Sequence, residues 1–375
     1  MATDNHANNT DNDDQTLNKV LDKGGEVREG EELDAKAVSN WLREQGVDIE
    51  GEPTVTQFSG GASNWTYRLQ YEGEGKGQDL ILRRPPKGTK AKSAHDMVRE
   101  YTVQKALKDA YPYVPKMVAL CTDESVIGAD FYVMERMEGI IPRANLPKGI
   151  DLDVEQTRAL CTNVIDALVD LHQVDYKEHP DLVNLGRGEG YCERQVTGWD
   201  KRYIKAKTPN VPSFGLVRQW LSKHTPADSK TCLIHNDWRF DNVILDAADP
   251  TKVIGVLDWE MATLGDPLMD LGSALAYWVE EDDNIIMQQS RRQPTHLEGM
   301  MTRDEVVDYY LQQSGLKIDN WTFYEVFGLF RLAGIVQQIY YRYYNKQTTN
   351  PAFKNFWLIV HVLHAKCLKL IAQYE

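Results

Sequence analysis

Residues 233–266, LIHNDWRFDNVILDAADPTKVIGVLDWEMATLGD, hold side chains whose types and spacing could do chemistry. Among them, His235, Asp237, Asn242 and Asp258 stand at the edges of short apolar runs of β type. Polar groups directly outside buried strands are costly unless they are paired or bind a ligand. Asparagine and aspartate oxygens are suitable ligands for Mg²⁺, and an aspartate can also accept a proton. The segment therefore predicts a magnesium site beside a general base.

The spacing of these residues indicates which reaction they could catalyse. His235, Asp237 and Asn242 form the pattern H-x-D-x-x-x-x-N, and Asp258 follows sixteen residues after Asn242. In kinase active sites an aspartate accepts the proton of the substrate hydroxyl, while an asparagine and a second aspartate hold the magnesium that bridges the ATP phosphates. By this pattern Asp237 is the predicted base, and Asn242 and Asp258 are the predicted metal ligands. Arg239 is placed to neutralise charge on the phosphoryl group during transfer.

The elements that must position this segment predict an α+β protein in two parts. After a disordered acidic tail, 1–32, five β-type runs and one inserted helix in 33–137 predict a small antiparallel-sheet lobe with glycine-rich turns. Residues 138–375 have the pattern of a larger, mainly helical lobe, with helical periodicity at 154–172 and three helices after about residue 302. The chemical segment thus belongs to the helical part.

Composition and charge exclude several classes of protein. The 375 residues are 42% hydrophobic and 26% charged and carry a net charge of −14, so the chain is globular and has no broad attraction for nucleic acid or anionic membranes. Five cysteines without a CxxC pair predict neither a disulfide framework nor a structural zinc site, and favour a reducing, cytoplasmic location. The acidic amino terminus lacks the features of a secretory signal, and charged residues interrupt every long apolar run, so we expect no membrane span.

Motifs outside the chemical segment add a resemblance to a known family. The runs FSGGASNWTYRL, LILRRPP, REYTVQKAL and MERMEG, together with H-x-D-x-x-x-x-N, make the chain from about residue 50 onward similar to the aminoglycoside phosphotransferase and choline kinase group of small-molecule kinases. The resemblance implies a two-lobed protein-kinase-like fold with ATP and Mg²⁺ as cofactors. It also implies a nucleotide-binding lobe at 33–137 and a catalytic and acceptor-binding lobe at 138–375.

The same resemblance implies an ATP site in the amino-terminal lobe. Its residues would be Gly61, Ser63 and Asn64 in the loop over the phosphates, Arg83 as the phosphate-binding cation, Glu100 as its ion-pair partner, and the backbone of Glu135 and Met137 at the adenine. Arg83 stands where the group usually has lysine, and Arg84 is the alternative cation. Asn236 replaces the glycine of the usual H-G-D.

A narrower resemblance concerns the phosphate acceptor. The runs RRPP, SAHDMVREY, IGADFYVMERMEG and ERQVTGWDKRY resemble the kinase modules that occur beside acyl-CoA dehydrogenases, which implies a hydroxyacyl-CoA, such as a 4-hydroxyacyl-CoA, as the acceptor. Two basic patches agree with an anionic acceptor: the run 83–92, and a helix face with Arg194 and Lys201, beside which Trp199 is a further candidate. Solvated basic surfaces explain both patches equally well.

Three other hypotheses stay open. An aminoglycoside or amino-alcohol acceptor would be cationic, and the acidic run 280–283 is available for it. A nucleotide-binding pseudokinase would explain the departures from the family pattern at the lysine and glycine positions. His235, Asp237 and Asp258 could instead ligate zinc or iron in a hydrolase, although no second histidine cluster accompanies them.

Overall fold

The computed structural model describes residues 21–58, 64–72, 78–86 and 96–375. The chain divides into two compact units, one of Met1–Ile141 with Ile244–Glu260 and the other of Pro142–Val243 with Met261–Glu375. The predicted division into a small sheet-containing lobe and a larger helical lobe agrees with this division, but the predicted boundary at residue 137 differs from it. Ile244–Glu260 belongs with the first unit although the sequence analysis assigned it to the helical lobe.

The first unit is built on a five-stranded antiparallel sheet. Its strands are β1 (Thr54–Gln57), β2 (Trp65–Gln70), β3 (Asp79–Arg84), β4 (Met117–Cys121) and β5 (Phe131–Glu135), in the spatial order β1-β2-β3-β5-β4. The helices are α1 (Ala35–Glu44), α2 (Met97–Leu107) and the short α3 (Glu124–Ile127). Alternating residues such as Tyr67 and Leu69 of β2 are buried and meet Val38 and Leu42 of α1. This period of two is the pattern that predicted the strands.

Part of the predicted disordered tail is ordered along this sheet. Gly25 and Gln57 exchange backbone hydrogen bonds of 2.8 and 2.9 Å at the β1 edge. The Tyr67 hydroxyl donates to the carbonyl of Glu31 at 2.6 Å. An unpaired strand edge presents free N–H and C=O groups, so a polar segment with little hydrophobic content can still be held there. The prediction of disorder was therefore wrong for residues 21–32, and its remaining part lies outside the described residues.

Backbone pairing explains why the segment Ile244–Glu260 joins the first unit. Its hairpin strands are β7 (Val243–Leu245) and β8 (Val253–Val256). Ile140 and Leu245 exchange two backbone bonds of 2.9 and 2.8 Å, and the N–H of Val256 donates to the carbonyl of Tyr113 at 2.7 Å. These bonds join residues more than a hundred positions apart, and the hydrophobic pattern of either segment gives no sign of its partner.

The second unit is mainly helical. Its helices are α4 (Val154–Gln173), α5 (Pro180–Val183), α6 (Tyr191–Ala206), α7 (Gly215–Lys223), α8 (Pro267–Leu275), α9 (Ile285–Ser290), α10 (Arg303–Ser314), α11 (Thr322–Tyr344) and α12 (Phe356–Tyr374), and β6 (Cys232–Ile234) pairs with β9 (Thr263–Gly265). Helix α4 begins with a capping box formed by Asp153 and Gln156. Helices α8 and α11 cross closely at two glycines, because a Cβ on Gly328 would lie 2.0 Å from the carbonyl oxygen of Gly272.

The last helix raises the question of a membrane span. Residues Pro351–Tyr374 are long and apolar enough to cross a membrane, with a mean hydropathy of 1.3 over a stretch that is 22% buried. This criterion rests on length and composition only, and a core helix of a soluble protein also satisfies it. Val360, Leu363 and Cys367 of α12 are buried within the second unit. One such helix is weak evidence, and the absence of a span stays a prediction.

Candidate active site

Strand β3 directs its two arginines to opposite sides of the sheet. Arg83 Nη1 lies 3.4 Å from Glu100 Oε2, and Arg83 Nη2 lies 3.2 Å from Asp258 Oδ1. Arg84 instead donates to the carbonyl of Ile127 at 3.3 Å and lies over the ring of Trp65. Because neighbouring side chains alternate along a strand, only one of the two arginines can face the carboxylates. Arg83 is that residue, and its predicted ion pair with Glu100 is present.

The surroundings of the two arginines also affect their pKa values differently. Burial alone would lower the pKa of Arg83, yet the negative charges around it, foremost that of Glu100, raise it well above the ordinary value. Burial lowers the pKa of Arg84, which has no carboxylate partner among its hydrogen bonds. A guanidinium with two carboxylates on one side is held as a fixed positive charge, which suits contact with phosphate.

Glu100 connects this ion pair to the loop that precedes β2. It is 1% exposed and accepts hydrogen bonds from the Tyr132 hydroxyl at 2.7 Å and from Asn64 Nδ2 at 3.0 Å. Asn64 Nδ2 also lies 3.4 Å from Glu260 Oε2. The predicted ATP-binding residue Asn64 thus belongs to the same cluster as Arg83. The predicted residues Gly61 and Ser63 lie outside the described residues, as do three lysines of the basic run 83–92.

The predicted adenine-binding residues lie at the end of β5, where Glu135 is the last residue of the strand and Met137 follows it. The N–H of Glu135 donates to the carbonyl of Lys116 at 2.9 Å, so Glu135 would have to contact adenine through its carbonyl oxygen. Its carboxylate pairs with the Lys116 ammonium at 2.9 Å. The side chain of Met137 packs beside Gly255, where a Cβ would lie 3.0 Å from the methionine sulfur. The lack of a side chain at position 255 thus lets the Met137 side chain lie close to β8.

Asp258 occupies a strained turn directly after β8. Its φ angle is 65°, in the left-handed region that few residues other than glycine, asparagine and aspartate adopt. The side chain is 28% exposed and bound to Arg83 on one oxygen. Strained backbone of this kind persists only where the surrounding structure holds it, and it is frequent at functional sites. A partly exposed carboxylate on such a turn is a suitable metal ligand.

The predicted catalytic loop lies in the second unit, between β6 and β7. The Nδ2 atom of Asn242 donates to the carbonyl of Asp237 at 2.8 Å and lies 3.3 Å from Asp237 Oδ2. Arg239 Nη2 lies 3.3 Å from the same carboxylate oxygen, Arg239 Nε lies 3.0 Å from Asp241 Oδ1, and the guanidinium covers the Tyr277 ring. The structure thus brings Asp237, Arg239 and Asn242 together, with the arginine directly beside the predicted base.

A buried aspartate that the sequence analysis missed holds this loop in place. Asp270 of α8 accepts the backbone N–H groups of His235 at 2.9 Å and Asn236 at 2.8 Å, and its Oδ2 lies 3.1 Å from His172 Nε2. His172 Nδ1 lies 2.6 Å from the Tyr310 hydroxyl. Burial would raise the pKa of Asp270, but the histidines beside it lower the pKa below its ordinary value. A single acid inside the apolar run PLMDLGSAL was the signal for it in the sequence.

The predicted acceptor-binding residues do not form one surface. Arg194 donates to the carbonyl oxygens of Gly188 and Glu189, and so caps the loop before its own helix. Trp199 is buried against the guanidinium groups of two arginines, Arg202 and Arg331. Lys201 is exposed and remains accessible to a ligand.

Half of the carboxylates in the acidic run 280–283 are paired with cations within the second unit. Arg303 pairs with Glu280 and with Asp283 at 2.7 Å each, and Lys366 pairs with Asp283. Two of its four carboxylates therefore already have cationic partners. A cationic acceptor would find only the remaining two exposed.

The available metal ligands fit magnesium better than zinc. Among residues 21–58, 64–72, 78–86 and 96–375, no group of three or more His, Cys, Asp and Glu side chains is placed to hold a metal ion. His235, which a zinc or iron hydrolase would use, is completely buried and packs edge-on against Trp238. Asn242 in the second unit offers an amide oxygen and Asp258 in the first unit offers a carboxylate oxygen, and each is of the kind that Mg²⁺ takes from proteins.

Comparison with known proteins places the chain in a family. Residues 54–325 match the phosphotransferase enzyme family, APH. Mouse acyl-CoA dehydrogenase family member 10 is 37% identical over 300 residues, which are 79% of this chain and 27% of that protein. Human acyl-CoA dehydrogenase family member 11 is 35% identical over 327 residues, 85% of this chain and 40% of that protein. The chain thus spans well under half the length of these curated relatives.

Solved structures give the same result for the fold. A Ralstonia eutropha protein described as a candidate aminoglycoside phosphotransferase superimposes with a TM-score of 0.76 at 28% identity, covering 91% of this chain and 99% of that chain. A choline kinase from Cryptosporidium parvum, at a TM-score of 0.57 and 13% identity, covers 91% of this chain and 96% of its own, and shows the fold alone. The fold is therefore protein-kinase-like, and the chain belongs to the phosphotransferase enzyme family.

Proposed function

We propose that this phosphotransferase is an ATP- and Mg²⁺-dependent kinase that transfers the γ-phosphoryl group to the hydroxyl of a small molecule. The observation that carries the proposal is the catalytic loop, where Asn242 is hydrogen-bonded to Asp237 and Arg239 stands 3.3 Å from the Asp237 carboxylate. The cluster of Arg83, Glu100 and Asp258 supports nucleotide binding. A base, two metal ligands and a phosphate-binding cation are what phosphoryl transfer requires of a protein.

Each of these residues has a distinct task in the proposed reaction. Asp237 accepts the proton of the acceptor hydroxyl, or orients that hydroxyl toward the phosphorus atom. Asn242 and Asp258 would hold Mg²⁺, which supplies neutralisation of the charge on the phosphate oxygens. Arg83 contacts the phosphates from β3 and is kept in place by Glu100. No covalent enzyme intermediate is needed, because positioning and electrostatic stabilisation account for catalysis of this type.

Arg239 supplies positive charge at the reacting phosphoryl group in this proposal. Replacing it with alanine is expected to lower kcat by about a hundredfold with little change in the KM for ATP, because the lost charge acts mainly in the transition state. Initial rates of ADP release over a range of ATP concentrations measure both parameters. Full activity of Arg239→Ala with unchanged ATP binding would rule out this role.

The acceptor that we propose is a hydroxyacyl-CoA, such as a 4-hydroxyacyl-CoA. Two curated relatives at 35–37% identity are named as acyl-CoA dehydrogenases, and this chain matches only a part of each. One cation beside the base is in keeping with an anionic acceptor, because Arg239 Nη2 lies 3.3 Å from Asp237 Oδ2. CoA carries several phosphates, which exposed cationic side chains attract. The exposed Lys201 is the acceptor-binding candidate that stays accessible.

An aminoglycoside or another amino alcohol is the second candidate acceptor. It is favoured by the 28% identity and 0.76 TM-score to the Ralstonia eutropha protein described as a candidate aminoglycoside phosphotransferase. The state of the acidic run 280–283 weighs against it, since Glu280 and Asp283 are already paired with cationic side chains. We also propose a cytoplasmic location, which the five free and buried cysteines support.

A panel of acceptors in a coupled ATP-turnover assay tests the proposal. The panel contains 4-hydroxyacyl-CoAs of several chain lengths, a kanamycin-type aminoglycoside, choline and no acceptor, each with and without Mg²⁺. We expect Mg²⁺-dependent turnover with a hydroxyacyl-CoA and none with the matching acyl-CoA that lacks the hydroxyl, because the phosphate is transferred to oxygen. Mass spectrometry of the product should show the addition of one phosphate.

Other outcomes of the panel would contradict parts of the proposal. Turnover with the aminoglycoside alone would replace the proposed acceptor by the second candidate. Nucleotide binding without turnover of any acceptor would favour the pseudokinase hypothesis. Zinc or iron in the purified protein, with hydrolysis and no phosphate transfer, would revive the hydrolase hypothesis.

A further inference from the structure

The residue before the proposed base adopts a backbone conformation that costs energy for any residue other than glycine. Asn236 has a φ angle of 67°, in the left-handed region. There the Cβ of an L-residue crowds the following carbonyl oxygen, which costs about 1–2 kcal/mol, whereas glycine enters this region freely. Asparagine is the residue that tolerates it best after glycine. The turn that carries Asp237 out of β6 therefore needs support from other parts of the protein.

Two buried side chains hold the backbone of Asn236 from opposite ends. Asp270 Oδ1 accepts its N–H at 2.8 Å, and Arg331 Nη2 donates to its carbonyl oxygen at 2.7 Å. Asp270 is fully buried and Arg331 is 4% exposed. The side chain of Asn236 adds little, because its Nδ2 lies 3.5 Å from the carbonyl of Met261, at the limit of a hydrogen bond. The support thus acts through the backbone.

Arg331 lies on α11 and is held in position by a tryptophan of α6. Its guanidinium lies 5.5 Å from the ring centre of Trp199. Gly334, one turn further along α11, lets this tryptophan approach the helix, since a Cβ there would lie 3.0 Å from Trp199 Cε3. Hydrogen bonds from a charged donor are about twice as strong as neutral ones, and burial strengthens them further. Arg331 therefore presents a fixed, strong donor to the loop.

We propose that Arg331 is a positioning residue for the catalytic loop. By donating a hydrogen bond to the carbonyl of Asn236, it stabilises the left-handed turn that orients Asp237. A glycine at position 236 would adopt this turn without such support. This inference rests on the proposed role of Asp237 as the base. Arg331 acts through the peptide between Asn236 and Asp237 and does not contact the reactants. It lies 95 positions from Asn236 along the chain.

A double-mutant cycle between positions 331 and 236 tests the inference. We expect Arg331→Met to lower kcat by about tenfold or more with the KM for ATP unchanged, because a small displacement of a catalytic group is costly. In the Asn236→Gly background the same substitution should lower kcat by only about twofold, since glycine keeps the turn without support. In the Asn236→Ala background the loss should exceed that in the unmodified chain. Arg331→Lys keeps a charged donor, so its kcat should lie between that of the unmodified chain and that of Arg331→Met.

Equal losses in the three backgrounds would overturn the inference, because they would show that Arg331 acts on stability or packing only. Hydrogen exchange of the backbone amides at 235–237, measured by mass spectrometry without any substrate, provides a second readout. Arg331→Met should speed this exchange in the asparagine background and much less in the glycine background. If the unmodified chain turned over no acceptor, the proposed function would fail. The hydrogen-exchange measurements on the same variants would still decide the role of Arg331. If Arg331→Met does not fold, the same comparisons apply to Arg331→Lys.

Discussion

Replacing Asp237 with asparagine is expected to reduce turnover by about a thousandfold or more while nucleotide binding stays within about threefold of the unmodified protein. Asparagine has nearly the same shape and can still accept the hydrogen bond from Asn242, so the loop should keep its conformation. It cannot take the proton of the acceptor hydroxyl. The loss therefore belongs to kcat, and the KM for ATP should change little.

Two measurements separate the chemical role of Asp237 from a structural one. Coupled ADP release at saturating acceptor gives kcat, and calorimetric titration with ATP and Mg²⁺ gives nucleotide affinity. Asp249→Asn is the matched control. Asp249 lies in the turn after β7, its side chain is 41% exposed and pairs with Lys252, and the substitution should leave both quantities unchanged. Normal turnover of Asp237→Asn would refute its assignment as the base.

The second large effect is expected at Asp270 and concerns stability. Asp270→Ala should lower the free energy of unfolding by about 3–5 kcal/mol, because it leaves buried donors without their acceptor. Those donors are the N–H groups of His235 and Asn236, with the ring of His172 beside them. Asp270→Asn keeps one acceptor oxygen and should cost less. Guanidinium unfolding followed by circular dichroism measures both variants.

The stabilisation by Asp270 should depend on pH in a defined direction. Burial raises the pKa of Asp270, but the hydrogen bond and charge of His172 outweigh burial and hold the pKa below its ordinary value. A carboxyl whose pKa is depressed on folding stabilises the protein above its unfolded pKa of about 3.9 and loses that contribution as pH falls through the folded pKa. The difference between the unmodified chain and Asp270→Ala should therefore be largest near neutral pH and shrink below about pH 4. A difference that grew on acidification would contradict this.

Only one of the three residues predicted to bind the acceptor is exposed in the structure. Arg194 and Lys201 were predicted to share a face of one helix with Trp199 nearby, and that spacing is present in α6. Arg194 donates hydrogen bonds to backbone carbonyls, and the Trp199 ring is covered by two guanidinium groups. Of these three residues, only Lys201 is exposed. Periodicity predicts which residues share a helix face, but which of them already have partners depends on loops that come from elsewhere in the chain.

Local patterns in the sequence were sufficient for the main strands and helices and for the residues of the catalytic loop. Short apolar runs bounded by turns predicted β1 to β5, and helical periodicity predicted α4, because such patterns follow from which side of an element is buried. The spacing of Asp237 and Asn242 predicted a shared site because five residues can close one loop, and the Asn242 hydrogen bond to Asp237 closes it. These are short-range relationships, and the chain itself enforces them.

Contacts between distant segments were decided only by the tertiary structure. The choice between Arg83 and Arg84 depended on which face of β3 meets Glu100, and the placement of Asp258 beside Arg83 depended on the pairing of Ile140 with Leu245. The unfavourable turn at position 236 was visible as a departure from glycine. Its support by Asp270 and Arg331 was not, because a hydrogen bond between residues 34 or 95 positions apart leaves no periodic trace in the sequence. Local physical chemistry thus determined the helices and strands and the types of the reactive residues. Long-range packing determined which of those residues have hydrogen-bond or ion-pair partners and which are exposed.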